Sequence, residues 1–121
     1  MKNIIAVLVM ALVSVTSFAQ AKEHFLIPEK VNSEIDQVKF IDVRTPEEYK
    51  EGSIPKALNI NIKAEYFKDN IDNFKRDEPI VIFCQSGTRS AQAYAVFKEL
   101  GFTNVREIEG GYEAWQAVQK K

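Results

Sequence analysis

Residues 80–101 read IVIFCQSGTRSAQAYAVFKELG, and this stretch decides the fold. Ile80–Phe83 is an uninterrupted apolar run directly after Pro79, the pattern of a strand covered on both faces. A short polar loop follows. From Thr88 to Leu100 the period lengthens, and Ala93, Val96, Phe97 and Leu100 fall on one helical face, with Gly101 as the stop. A buried strand that passes through a tight loop into an amphipathic helix is half of a βαβ unit, so a mainly parallel sheet is expected.

Working outward, the same alternation recurs. Phe40–Val43 reads as a strand. Thr45-Pro46-Glu47-Glu48 then opens a helix, with Thr45 as cap, Pro46 at the first helical position and Glu48 closing a capping box. Gly52 through Pro55 turns the chain, and Ala57–Ile60 reads as a second strand. Within Ala64–Phe74, Tyr66, Phe67, Ile71 and Phe74 are spaced as on a helix, whose Lys and Glu residues make a solvated face. Val105–Glu107 is a further strand, Gly110-Gly111 a turn and Tyr112–Val118 a closing helix, with Tyr112 and Trp115 packing its inner side. The reading is an α/β single domain.

Composition narrows the function classes. The chain has 121 residues, 45% hydrophobic and 27% charged, which are globular values for one domain. Sixteen basic against 17 acidic residues leave no electrostatic footprint for nucleic acid. The single cysteine, Cys84, excludes an intrachain disulfide and any Cys-rich zinc or iron–sulfur site. Nothing in the sequence demands more than a monomer.

The N-terminus reads as a targeting segment. Lys2 precedes the charge-free run Ile4–Val15, and small residues at spacing two end at Ala19 or Ala21, as in a secretory signal peptide. The run is shorter than the roughly 18 residues a spanning helix needs, and no twin arginine precedes it. Residues 1–19 are expected to be removed, with Ala21 as the alternative cleavage position, and residues 22–121 to form the domain. The mature protein is expected to have no membrane span and to be periplasmic or secreted. His24, close to that cleavage point, reads as a surface residue.

In open α/β sheets ligands bind beyond the carboxyl ends of the strands, where Cys84 stands. The loop Cys84-Gln85-Ser86-Gly87-Thr88-Arg89 can turn backbone N–H groups inward and join them to the free N–H groups of the following helix, making an anion cradle. Gly87 supplies the backbone freedom such a loop needs. A cysteine at its floor is expected as thiolate, favoured by the helix N-terminus and by Arg89. The bland alternative is a buried, inert cysteine at the end of a core strand.

Two chemistries fit one thiolate ringed by donors. A cysteine-type phosphatase or arsenate reductase needs room for a tetrahedral oxyanion, with Arg six positions after Cys. Here Arg89 is five positions after Cys84, and the smaller cradle suits the outer sulfur of a cysteine persulfide better.

Four segments carry a resemblance. They are Asp42-Val43-Arg44 with Glu47-Glu48-Tyr49, Gly52-Ser53-Ile54-Pro55-Lys56-Ala57-Leu58-Asn59-Ile60, Cys84–Ser90, and Gly110-Gly111-Tyr112-Glu113-Ala114-Trp115. In that order and spacing the chain resembles the single-domain rhodanese (thiosulfate sulfurtransferase) family along Phe40–Trp115. The resemblance implies a sheet of about five strands flanked by helices and an active loop Cys84–Arg89. It departs from the family where Gly-His-Ile-Pro-Gly-Ala is common, since Ser53 replaces His and Lys56 the second Gly. Gln85 and Ser86 are neutral where two-domain relatives that prefer thiosulfate carry basic residues.

What the resemblance implies chemically is a ping-pong transfer without metal or organic cofactor. Cys84 takes a sulfane sulfur from thiosulfate or a related donor and passes it to cyanide or a thiol. Gln85, Ser86, Gly87, Thr88 and Arg89 form the persulfide-binding loop. Arg89 serves as anion guide or loop brace, and the Ser86 and Thr88 hydroxyls supplement the backbone donors or cap the helix. Asp42 and Arg44 support the site by facing it or by bracing it as an internal ion pair. A persulfide carrier or sulfur-sensing binding module without turnover has the same sequence features.

Overall fold

The computed structural model describes residues 24–121. The expected leader, both its cleavage positions and the first two residues of the expected domain lie outside the described residues. Five strands, β1 (Phe25–Leu26), β2 (Lys39–Asp42), β3 (Leu58–Asn59), β4 (Ile80–Phe83) and β5 (Val105–Ile108), form one sheet in the order β1-β5-β4-β2-β3. Every pairing is parallel. The helices are α1 (Val31–Glu34), after a 3₁₀ turn at Pro28–Lys30, then α2 (Pro46–Glu51), α3 (Phe67–Asp72), α4 (Thr88–Glu99) and α5 (Gly111–Gln119). Among the described residues no helix is long and apolar enough to cross a membrane.

Strand β4 is the centre. It pairs with β2 on one side and β5 on the other, and all four of its residues are fully buried. Alternation splits them between the faces. Ile80 and Ile82 join Ile41, Phe67, Ile71, Ala93 and Phe97 in the core on the α3–α4 side. Val81 and Phe83 join Leu26, Val31, Phe40, Ile108 and Tyr112 on the α1–α5 side. A strand with helices over both faces has no polar side to show, which is why IVIF is continuous rather than alternating.

The ends of the elements differ from expectation for local reasons. Strand 57–60 keeps ladder pairing only at Leu58–Asn59, because Ala57 N–H closes a turn on Ile54 O; Ile60 and Ile62 still donate to Asp42 O and Val43 O. Helix 64–74 contracts to Phe67–Asp72, its first turn being taken by Ala64 O accepting from Phe67 N–H. Strand β1 has only two residues, too few to carry a readable period, yet it completes the sheet by pairing Phe25 with Glu107 and Leu26 with Ile108.

Candidate active site

Cys84 follows β4 immediately and is 1% exposed. Its Sγ receives two backbone donors, Gly87 N–H at 3.1 Å and Ser90 N–H at 3.3 Å. Both belong to the start of α4, where unpaired N–H groups and the positive end of the helix favour negative charge. The residue in the cap position is Gly87, with φ +119°, in the left-handed region. Ser86 and Thr88 are exposed, and no side-chain hydroxyl caps the helix. Of the two roles weighed for those hydroxyls, capping is the one this arrangement does not use, because a glycine stands in the cap position.

The other end of the loop is fixed by α5. Cys84 O accepts from Tyr112 N–H at 2.9 Å and Gln85 O from Glu113 N–H at 3.0 Å, so the orphan donors of α5 are satisfied by the loop. Gly111 permits this approach. A Cβ there would lie 2.8 Å from Cys84 O and 2.7 Å from Gln85 O, and its φ is +70°. The Gly110-Gly111 pair, expected as a turn, is therefore part of the loop's support.

Arg89 is engaged by a carboxylate. Its Nη1 and Nη2 donate to Glu48 Oε1 and Oε2 at 2.7 and 3.0 Å, a two-pronged pair between the start of α4 and α2. The Arg89 guanidinium holds the Glu48 carboxyl down to about 2, with partial burial opposing and bonds from Thr45 assisting. The Arg89 value is pushed up, first by Glu48 and less by Cys84 and Asp42. Of the two roles weighed for Arg89, this geometry is that of a brace. Glu48 also completes the capping box with Thr45, so one carboxylate serves a helix start and the loop together.

Asp42 and Arg44 form an internal ion pair, 0% and 3% exposed, with Arg44 Nη2 2.7 Å from Asp42 Oδ2. Burying such a pair is tolerable only when its remaining polar atoms are bonded. Here Arg44 also donates to Gly52 O and to Gln85 Oε1, at 2.7 and 3.0 Å, and its Cζ lies 4.3 Å from the centre of the Tyr112 ring. Ser53, standing where the family commonly has His, donates to Asp42 Oδ2 at 2.8 Å. A cavity of about 380 Å³ opens beside Gln85, lined also by Arg44, Glu48, Glu51, Tyr112 and Gln116.

Several participants carried no sequence signal for this place. Glu48 read only as a helix cap, and nothing local links it to a residue 41 positions later. Ser90, fully buried, stood inside the loop segment without a role. Glu107 is 3% exposed and reads in sequence as the end of a strand. His24, expected at the surface, is half-buried, with Nε2 2.6 Å from Glu107 Oε2 and its ring stacked between Phe25 and Tyr94. That correction follows from β1, whose pairing with β5 carries His24 to Glu107.

The comparisons bear on family and fold. The sequence pattern of the rhodanese-like domain matches residues 28–118. A chloroplastic thiosulfate sulfurtransferase of Arabidopsis thaliana is 38% identical over 87 residues, which are 64% of this chain and 72% of the relative. A sulfurtransferase of Allochromatium vinosum is 34% identical over 83 residues, 69% of this chain and 76% of the relative. Among solved structures, a rhodanese-related protein from Thermoplasma volcanium superposes with a TM-score of 0.70 at 28% identity, covering 78% of this chain and 92% of that one.

Proposed function

The chain belongs to the rhodanese-like domain family, and from that premise we propose that it is a sulfurtransferase in which Cys84 carries the sulfur as a persulfide. The observation that supports this most directly is the pair of N–H groups of Gly87 and Ser90 on Cys84 Sγ. Donors fixed by the fold stabilise negative sulfur without reorganising when charge arrives.

In the first half-reaction the Cys84 thiolate attacks the outer sulfur of thiosulfate. The bond between the two donor sulfurs breaks, and its electron pair leaves with sulfite. Cys84 becomes a persulfide anion, held by loop donors at the floor of the cradle. In the second half-reaction cyanide or a thiolate attacks the terminal sulfur. The sulfur–sulfur bond to Cys84 breaks, thiocyanate or an acceptor persulfide departs, and the thiolate returns. Gln85, Ser86, Gly87, Thr88 and Arg89 form the loop wall, Asp42 and Arg44 support it, and no proton need cross the site in either step.

The test is intact mass after brief thiosulfate treatment, beside a Cys84→Ser control, followed by cyanide and a thiocyanate assay. One added sulfur on the wild type alone, discharged as thiocyanate, is the expected result. If neither protein gains mass, polysulfide and persulfide donors are tried, and failure with all of them defeats the enzyme reading. We also propose, from residues 1–21 of the sequence, that the protein is exported. N-terminal sequencing of the protein from the extracytoplasmic fraction then starts at Gln20 or Lys22, and retention of Met1 there refutes cleavage.

A further inference from the structure

Glu107 is a carboxylate on a core strand, 3% exposed, at a position where a leucine would pack without any desolvation cost. Both of its oxygens are engaged. Oε1 lies 2.8 Å from Ser90 Oγ, and Oε2 lies 2.6 Å from His24 Nε2. Ser90 is fully buried on the first turn of α4, and its backbone N–H is one of the two donors on Cys84 Sγ. The chain of contacts therefore runs from His24, just before β1, through β5 to α4 and ends on the reacting sulfur.

The single Ser90 hydroxyl proton faces two acceptors, Glu107 Oε1 at 2.8 Å and Gly87 O at 3.1 Å. The carboxylate oxygen is the nearer of the two. That bond fixes the Ser90 rotamer and ties the first turn of α4 to β5. On the far side, the His24 ring is stacked 4.3 Å from Phe25 and 3.7 Å from Tyr94, and Tyr94 is itself part of α4. With Nε2 carrying the proton, His24 donates to Glu107 and keeps the carboxylate aimed at Ser90.

We infer that Glu107 and His24 are positioning residues for the Cys84 centre: they hold Ser90 so that its N–H stays on the sulfur. This deepens the sulfurtransferase reading and rests on it for its biological meaning. The effect on the thiol can be read without any sulfur donor. Losing a fixed donor disfavours the thiolate against the thiol by about the worth of one hydrogen bond. At a pH below the ordinary thiol range this lowers the reactive fraction, and the greater nucleophilicity of the remaining thiolate offsets about half, leaving a slowing of roughly two- to fourfold.

The experiment is the rate of Cys84 alkylation by iodoacetamide, followed by intact mass, in the wild type and in Glu107→Leu, Glu107→Gln and His24→Phe, each checked for folding by circular dichroism. At about pH 6, below the ordinary thiol range, Glu107→Leu is expected to slow alkylation by about two- to fourfold. Glu107→Gln, whose oxygen still accepts from Ser90 while its amide donates to His24 in the other tautomer, is expected to restore most of it. His24→Phe keeps the ring stack, loses the donor and gives a smaller slowing. Wild-type alkylation in folded Glu107→Leu, or a Gln variant no faster than the Leu variant, overturns the inference. If Glu107→Leu does not fold, an unchanged rate in His24→Phe overturns it instead. Failure of every sulfur donor with the wild type would sink the sulfurtransferase reading while leaving these rates measurable.

Discussion

Arg89 grips Glu48 with both terminal nitrogens, at 2.7 and 3.0 Å, and so ties the loop that carries Cys84 to the capping box of α2. Because Glu48 is held down to about 2 against an ordinary 4.5, its ionisation favours the folded state. The sign follows from linkage: a carboxyl depressed on folding adds stability that is fully present above about 4.5 and is lost as pH falls toward 2. With the carboxylate about a third exposed, solvent screening leaves about 1–2 kcal/mol at neutral pH. Urea unfolding of wild type and Glu48→Gln is expected to show that gap at pH 7 and a smaller one at pH 3. A gap that widens in acid contradicts the pairing.

The brace also predicts how Arg89 and Glu48 combine. If Arg89 acts through Glu48, Arg89→Ala and Glu48→Ala slow persulfide formation to a similar degree, and the double variant is no slower than the worse single one. An Arg89 that guides the donor anion directly gives a different pattern, with Arg89→Ala much worse than Glu48→Ala. Single-turnover mass spectrometry on the three variants separates the two. Arg89→Lys keeps the charge and loses the two-pronged geometry, so it is expected to resemble Arg89→Ala more than wild type.

Gly111→Ala is expected to damage fold and site at once. The new Cβ falls under 3 Å from Cys84 O and Gln85 O, and the backbone there is left-handed. Relieving the clash means giving up the bonds from Tyr112 and Glu113 that hold those carbonyls. A loss of about 2 kcal/mol or more follows from strain plus one broken buried bond. Thermal melts read the stability, and iodoacetamide labelling of Cys84 reads the loosened loop. An alanine variant that melts with the wild type removes the close-approach argument.

Cys84 is 1% exposed, so size should govern which reagents reach it. A small maleimide is expected to modify it in the folded protein much faster than a bulky maleimide with the same reactive group, and urea should abolish the difference. Equal rates in the folded state would mean that the cradle opens freely.

The sheet was legible where a period or a cap wrote it locally. Ile80–Phe83 could only be a buried strand, Thr45 and Glu48 announced a capping box, and Cys84 between strand and helix marked the site. Short elements were not legible: β1 has two residues and owes its existence to its pairing with β5. The long-range partners of the site were hidden for the same reason. Arg89 with Glu48, Arg44 with Gln85 and Ser90 with Glu107 meet only after the sheet has ordered, and no spacing along the chain encodes which charge faces which.

Lys56 brings sequence and structure together at a departure from the family. It stands where glycine is common, and it has φ +68° with no glycine's freedom to take it. A non-glycine residue in that region costs about 1–2 kcal/mol. Lys56 Nζ pairs with Asp36, but both side chains are mostly exposed, and such a surface pair returns little. Replacing the side chain therefore removes more strain than attraction, less the extra freedom glycine gains in the unfolded chain. Lys56→Gly is expected to raise the melting temperature by a few degrees, for a net gain on the order of 0.5–1 kcal/mol. Cys84 alkylation should not change, since the Lys56 side chain pairs with Asp36 rather than with a residue of the loop. A lower melting temperature would show that the Asp36 pair and glycine's unfolded freedom together outweigh the strain, and Asp36→Asn, run beside it, measures that pair alone.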